Sequence, residues 1–135
     1  MTDQQQDYRD MDVLYTHPTS KGQLYCGNDK SAKSERLLRS LEITNIVNCT
    51  RPTRVGQLPN YHEMNGRYRY LDFPIALWSE YVLLTPSGEE VMGMPQQMAQ
   101  LALFLLPLFQ FVDRALKKGE NVLVHCLAGA HRAGE

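Results

Sequence analysis

At 135 residues the chain has room for one domain. A hydrophobic share of 43% and a charged share of 21% are ordinary for a globular protein, and a net charge of −1 argues against general affinity for nucleic acid or membrane surfaces. Three widely spaced cysteines and no leader-like start fit free thiols in a reducing, cytoplasmic setting better than a secreted disulfide framework, and the most apolar stretch, Leu101 to Phe109, is too short to span a bilayer.

Residues 1–20 read as a flexible N-terminal tail, glutamine-rich and carrying Asp3, Asp7, Asp10 and Asp12. Residues 21–135 read as the domain. Gln23 to Asn28 is a short strand that ends at Gly27. Asn28 or Asp29 is placed to cap a helix running to about Leu41, with Leu37, Leu38 and Leu41 on one face. Cys26 reads as a small core filler, with a redox pairing as the minor alternative. Ile43 to Thr50 is a second strand in which Cys49 is buried and inert. Arg51 and Arg54 follow on a polar loop around Pro52.

Leu58 to His62 and Gly66 read as turns, and His62 has no partner at metal-ligand spacing. Arg67 to Leu71 alternates and continues through Phe73-Pro74-Ile75 as a third strand. Trp78 to Met94 is a long connection interrupted by Pro86, Gly88 and Gly93, suited to a lid. A helix opens at Pro95 and closes at Gly119, with Lys117 and Lys118 at its negative end. Met98, Leu101, Leu105, Leu108, Val112 and Leu116 form its expected buried stripe, and Pro107 should kink or split it.

The chain then becomes chemical. Val122-Leu123-Val124 is a β-branched apolar run bounded by Glu120-Asn121, hence a short buried strand. It leads into His125-Cys126 and a small-residue loop closed by Arg132. The backbone N–H groups of Leu127, Ala128, Gly129, Ala130, His131 and Arg132 can curl into a nest around one anion, and Gly129 permits the turn. A helix starting after the loop would point its positive end at the same place. That field favours a thiolate on Cys126, which is the nucleophilic form. Arg132 can grip two phosphate oxygens with its planar fork.

His125-Cys126-x-x-Gly129-x-x-Arg132 behind a strand resembles the signature loop of cysteine-dependent protein phosphatases. The strands at Gln23, Ile43 and Arg67 look most like those of the dual-specificity branch, and the resemblance covers roughly Gln23 to Gly134. It implies an α/β fold, a central, mostly parallel sheet flanked by helices, of protein tyrosine or dual-specificity phosphatase type. It also implies a domain incomplete at its C-terminus, because the family's domain continues with helices beyond the position of Glu135. The implied activity is hydrolysis of phosphate monoesters, phosphotyrosine and phosphoserine or phosphothreonine in proteins, through a phosphocysteine on Cys126. Phosphorylated proteins are the implied partners; no metal or organic cofactor is needed. His125 would tune the thiolate, and Arg51 and Arg54 would lie on an edge near the site, as a solvated pair or as contacts to phosphate or an acidic substrate.

Two positions depart from the family's pattern. Its general acid, an Asp, falls at Leu77 or in a one-residue gap. The nearby carboxylates are Asp72, Glu80, Glu89 and Glu90, with Glu80 favoured over Asp72. Ala133 stands where the family usually has Ser or Thr, so hydrolysis of the phosphocysteine should be the slowed step. His131 could add charge near the phosphate at mildly acid pH, or simply pack on the rim. The alternative reading is a phosphate-binding pseudophosphatase that docks phosphoproteins: the missing Asp and Ala133 favour it, and retention of both Cys126 and Arg132 opposes it. Phosphoinositide or RNA 5′-phosphate substrates rank low, because only His131 and Arg132 bring charge to the loop.

Overall fold

The computed structural model describes residues 11–51, 57–75 and 94–126. Its centre is the apolar run that precedes Cys126. Val122 and Leu123 have no exposed surface and Val124 almost none. A strand apolar on both faces needs cover on both sides and partners on both edges. The strand Asn121–His125 (β5) has both. It lies between Gln23–Gly27 (β2) and Ile43–Asn48 (β3) and runs parallel to each. Arg69–Asp72 (β4) pairs in parallel outside β3, and Met11–Thr16 (β1) forms the other edge, antiparallel to β2. The sheet order is β1-β2-β5-β3-β4. This is the mostly parallel α/β sheet expected above.

Side-chain alternation divides the core into two layers. Leu123 and Ile46 face Asp29–Lys33 (α1) and Glu35–Ser40 (α2), packing with Ala32, Leu37, Leu38 and Tyr68. Val47, Val122, Val124 and Cys126 face the other way and pack with Phe73 and with Ala115 and Leu116 of Met94–Lys117 (α3). Each fully buried Leu, Ile or Val contributes about 1.5–3 kcal/mol relative to exposure, so these two layers set the positions of the strand ends.

Several boundaries differ from the sequence reading. Met11–Thr16, read as part of the tail, is an edge strand; its pairing runs from Met11↔Gly27 to Thr16↔Gln23, with an irregularity between Val13 and Tyr15. The single helix expected up to Leu41 is two helices broken at Ser34. Asn28 caps α1 in a capping box with Ser31, and Ser34 then caps α2 by accepting from the Leu37 N–H at 3.2 Å. A competing cap inside the predicted helix ended it early. β4 stops at Asp72 and does not run on to Ile75.

α3 runs without division through Pro107, which is exposed, instead of splitting there. Of the expected stripe, Leu116 is buried and Leu101, Leu105, Leu108 and Val112 are partly buried, but Met98 is 62% exposed. Its Met98–Lys117 stretch, 20 residues with mean hydropathy 1.3, is long and apolar enough to cross a membrane by length and composition. Leu101 to Phe109, too short to span a bilayer by itself, is thus part of a longer apolar helix. Here its inner side covers the sheet. Gly119, at φ 78°, ends it as expected: its N–H donates to the Leu116 carbonyl at 2.9 Å and turns the chain into β5.

Candidate active site

Strand pairing lines up Gly27, His125, Asn48 and Asp72 in one row across the carboxyl edge of the parallel sheet. Ligands of open parallel sheets collect beyond this edge. Cys126 follows His125 there, buried on the α3 side. The ladder extends one step past the strands, since the Cys49 N–H donates to the His125 carbonyl at 2.9 Å and the Phe73 N–H to the Asn48 carbonyl at 2.9 Å.

All three cysteines are buried free thiols. Burial, and then the neighbouring Cys126 and Cys26, push the Cys49 thiol up to about 12. Cys26 is raised by burial, Cys126 and Asp12. Both match the expectation of inert core residues. His125 is 1% exposed on the opposite face from Cys126. Burial lowers its pKa from 6.5 to about 4, against smaller opposing effects of a hydrogen bond with the Cys126 backbone and the charge of Asp29. Nδ1 is buried with no hydrogen-bond partner among the described residues. His125 is thus a neutral ring that can influence Cys126 through the backbone and its dipole.

The sequence reading missed the polar network beside this row. Asn48 has no exposed surface. Its Nδ2 donates to the Leu58 carbonyl at 2.9 Å and to Asn60 Oδ1 at 2.8 Å. Its Oδ1 accepts from the Thr50 N–H at 3.0 Å and the Thr50 hydroxyl at 2.6 Å, and that hydroxyl accepts from the Leu58 N–H at 2.8 Å. Asn60 Nδ2 donates to Asp72 Oδ1 at 3.0 Å, and Asp72 Oδ2 forms an ion pair with Arg51 Nε at 3.5 Å. The available signal was Asn48 directly after the apolar pair Ile46-Val47, at a strand end where a buried amide demands partners.

Of the residues read as site candidates, the structure places Cys126 and His125 together at the head of β5, with Asp72 two strands away, about 10 Å at ordinary strand spacing. Asp72 is engaged on both oxygens, and Arg51 is its ion-pair partner. Leu127, Ala128, Gly129, Ala130, His131, Arg132, Ala133, Glu80 and Arg54 lie outside the described residues. Among the described residues no cluster of His, Cys, Asp and Glu has the makings of a metal site. A groove of about 420 Å³ between the end of β4 and α3 is lined by Phe73, Pro74, Gln100, Leu103, Phe104 and Pro107. Among these described residues none titrates, so what they offer is chiefly apolar contact.

Residues 24–135 match the family model for the dual specificity phosphatase catalytic domain. This chain belongs to the dual-specificity phosphatase family. It is 32% identical over 111 residues to human dual specificity protein phosphatase 9, and 31% identical over 111 residues to the human and rat dual specificity protein phosphatase 6. Each match covers 82% of this chain and 23% of the relative, so the chain spans about a quarter of these phosphatases' length. Within this dual-specificity phosphatase domain, β5 is the strand that carries the candidate nucleophile, and Asn48 and Asp72 mark the rim beside it.

Proposed function

We propose that this chain hydrolyses phosphate monoesters, phosphotyrosine and phosphoserine or phosphothreonine in proteins, through a phosphocysteine on Cys126. The observation that carries the reading is the placement of Cys126 at the carboxyl end of the central parallel strand, in a chain that belongs to this family. In the first step the Cys126 thiolate attacks phosphorus. A P–S bond forms as the P–O bond breaks, and a carboxylic acid protonates the departing oxygen. The amides of Leu127 to Arg132 and the Arg132 guanidinium bind the non-bridging oxygens. In the second step water attacks phosphorus and loses its proton to the carboxylate, and inorganic phosphate leaves with the thiolate restored.

Both Asp72 oxygens are held by the rim, which supports a structural role for Asp72 and leaves Glu80 as our choice of acid. His125 stays neutral and sets the strand end on which Cys126 sits. Ala133 supplies no hydroxyl, so the second step is the slower one.

The test is release of alcohol from a small aryl phosphate, with Cys126→Ser as control and the first turnover resolved. Turnover lost in Cys126→Ser, with a burst of alcohol before steady release, is the expected result. Glu80→Gln should slow substrates with poor leaving groups far more than those with good ones. The missing Asp, whose position falls at Leu77 or in a one-residue gap, and Ala133 favour a second reading, a phosphate-binding module that docks phosphoproteins. Folded protein that binds vanadate and shows neither burst nor turnover would decide for it.

A further inference from the structure

The proposed chemistry does not use Arg51. It lies two residues past Cys49, whose N–H is bonded to the strand that carries Cys126, so it stands within roughly 10 Å of the nucleophile's backbone. It is not a loose loop cation. Asn48 fixes the chain just before it through the Thr50 N–H and hydroxyl. Asp72, itself held by Asn60, meets its Nε at 3.5 Å. Arg51 and Asp72 remain 30% and 36% exposed at the side chain.

The guanidinium is therefore paired at its Nε edge. Among the described residues nothing else pairs with it, so its two terminal nitrogens, with four N–H donors, remain for a ligand at the rim. A planar fork paired along one edge by an ion-pair contact at the rim of an anion site suits a second anion.

We propose that Arg51 is a specificity residue that takes an acidic group of the substrate, a carboxylate or a second phosphate, within about three residues of the scissile phosphoester. That range follows from the upper limit of roughly 10 Å and the rise of about 3.3 Å per residue in an extended peptide. Asp72 has two opposed effects on this contact: it aims the guanidinium and it offsets part of its charge. The inference rests on the reading of Cys126 as the phosphate-binding centre.

The test compares phosphopeptides carrying Glu, phosphoserine or Ala three residues to either side of the phosphotyrosine. Binding to the Cys126→Ser protein and kcat/KM of the intact protein are both measured. The anionic peptides should be favoured over Ala by about fivefold, and Arg51→Ala should abolish that preference with the Ala peptide unchanged. Asp72→Asn should move the preference the other way, strengthening it about twofold, and 0.5 M salt should erase it. If the pair only braces the rim, Arg51→Ala and Asp72→Asn will weaken all peptides alike; that result overturns the proposal. Loss of turnover on every substrate in Asp72→Asn alone, with binding intact, would assign Asp72 to the chemical step and likewise overturn it. No binding of any phosphopeptide would instead count against Cys126 as the phosphate centre, since Arg51 is tested only as a difference between peptides.

Discussion

His125 carries a stability cost whose sign is fixed by its surroundings. Its pKa is 6.5 as a free side chain and about 4 in the fold. Between those values the unfolded chain binds a proton that the folded chain refuses. Stability from this group is therefore complete above pH 6.5 and drains away as pH falls towards 4, by about 3 kcal/mol in all. Urea unfolding at pH 7 and pH 4.5 should show wild type losing about 2 kcal/mol more than His125→Gln; equal losses would mean that the ring is not buried neutral. Cys49 offers a second check at this scale. With its thiol at about 12 and only 1% exposed, it should resist alkylation by iodoacetamide at pH 8 in the folded protein and react once urea is added, as mass spectrometry would read. The buried character of Cys49 was legible in the sequence, because it ends an apolar strand. The neutrality of His125 was not, because a histidine beside a cysteine looks the same on paper whether its ring faces water or the core.

At the level of elements, the strand ends are joined by amides as well as by the ladder. Asn48 closes four hydrogen bonds without touching water. Asn48→Ala should leave Leu58, Asn60 and Thr50 with unpaired groups and cost about 3 kcal/mol, read as a lowered urea midpoint. Asp72→Asn, at a pair that keeps about a third of its surface in solvent, should cost less than about 1 kcal/mol in the same assay. Sequence reasoning found β2, β3, β5 and the long helix, because apolar runs and Gly119 announce them. It missed the break at Ser34, where a local cap outweighed the helical spacing of Leu37, Leu38 and Leu41. It missed β1 because Val13-Leu14-Tyr15 is a short run directly behind a polar stretch, and an edge strand with exposed sides shows no apolar alternation. Beyond Asn48 itself the rim network was hidden for a simpler reason: Leu58 and Asn60 reach Asn48 from a loop, and Asp72 arrives through the pairing of β3 with β4.

For the molecule as a whole, α3 is apolar on more sides than the sheet can use. Leu103 and Phe109 are 69% and 55% exposed. A contiguous apolar face of this kind promotes self-association. Leu103→Glu should change the unfolding free energy by less than about 0.5 kcal/mol while lowering concentration-dependent light scattering; a large loss of stability would mean that Leu103 is packed. The sheet order has a further consequence, one of timing. Of the five described strands, β5 is made last and lies in the middle. While the ribosome is still adding residues before Asn121, β2 and β3 have no common neighbour, and the backbone edges that both present to β5 wait unpaired. Pairing across such sequence distances is slow and leaves edges open to wrong partners. The insertion that closes the sheet also delivers Cys126, so the nascent chain gains its candidate nucleophile in the same event that gives it a core.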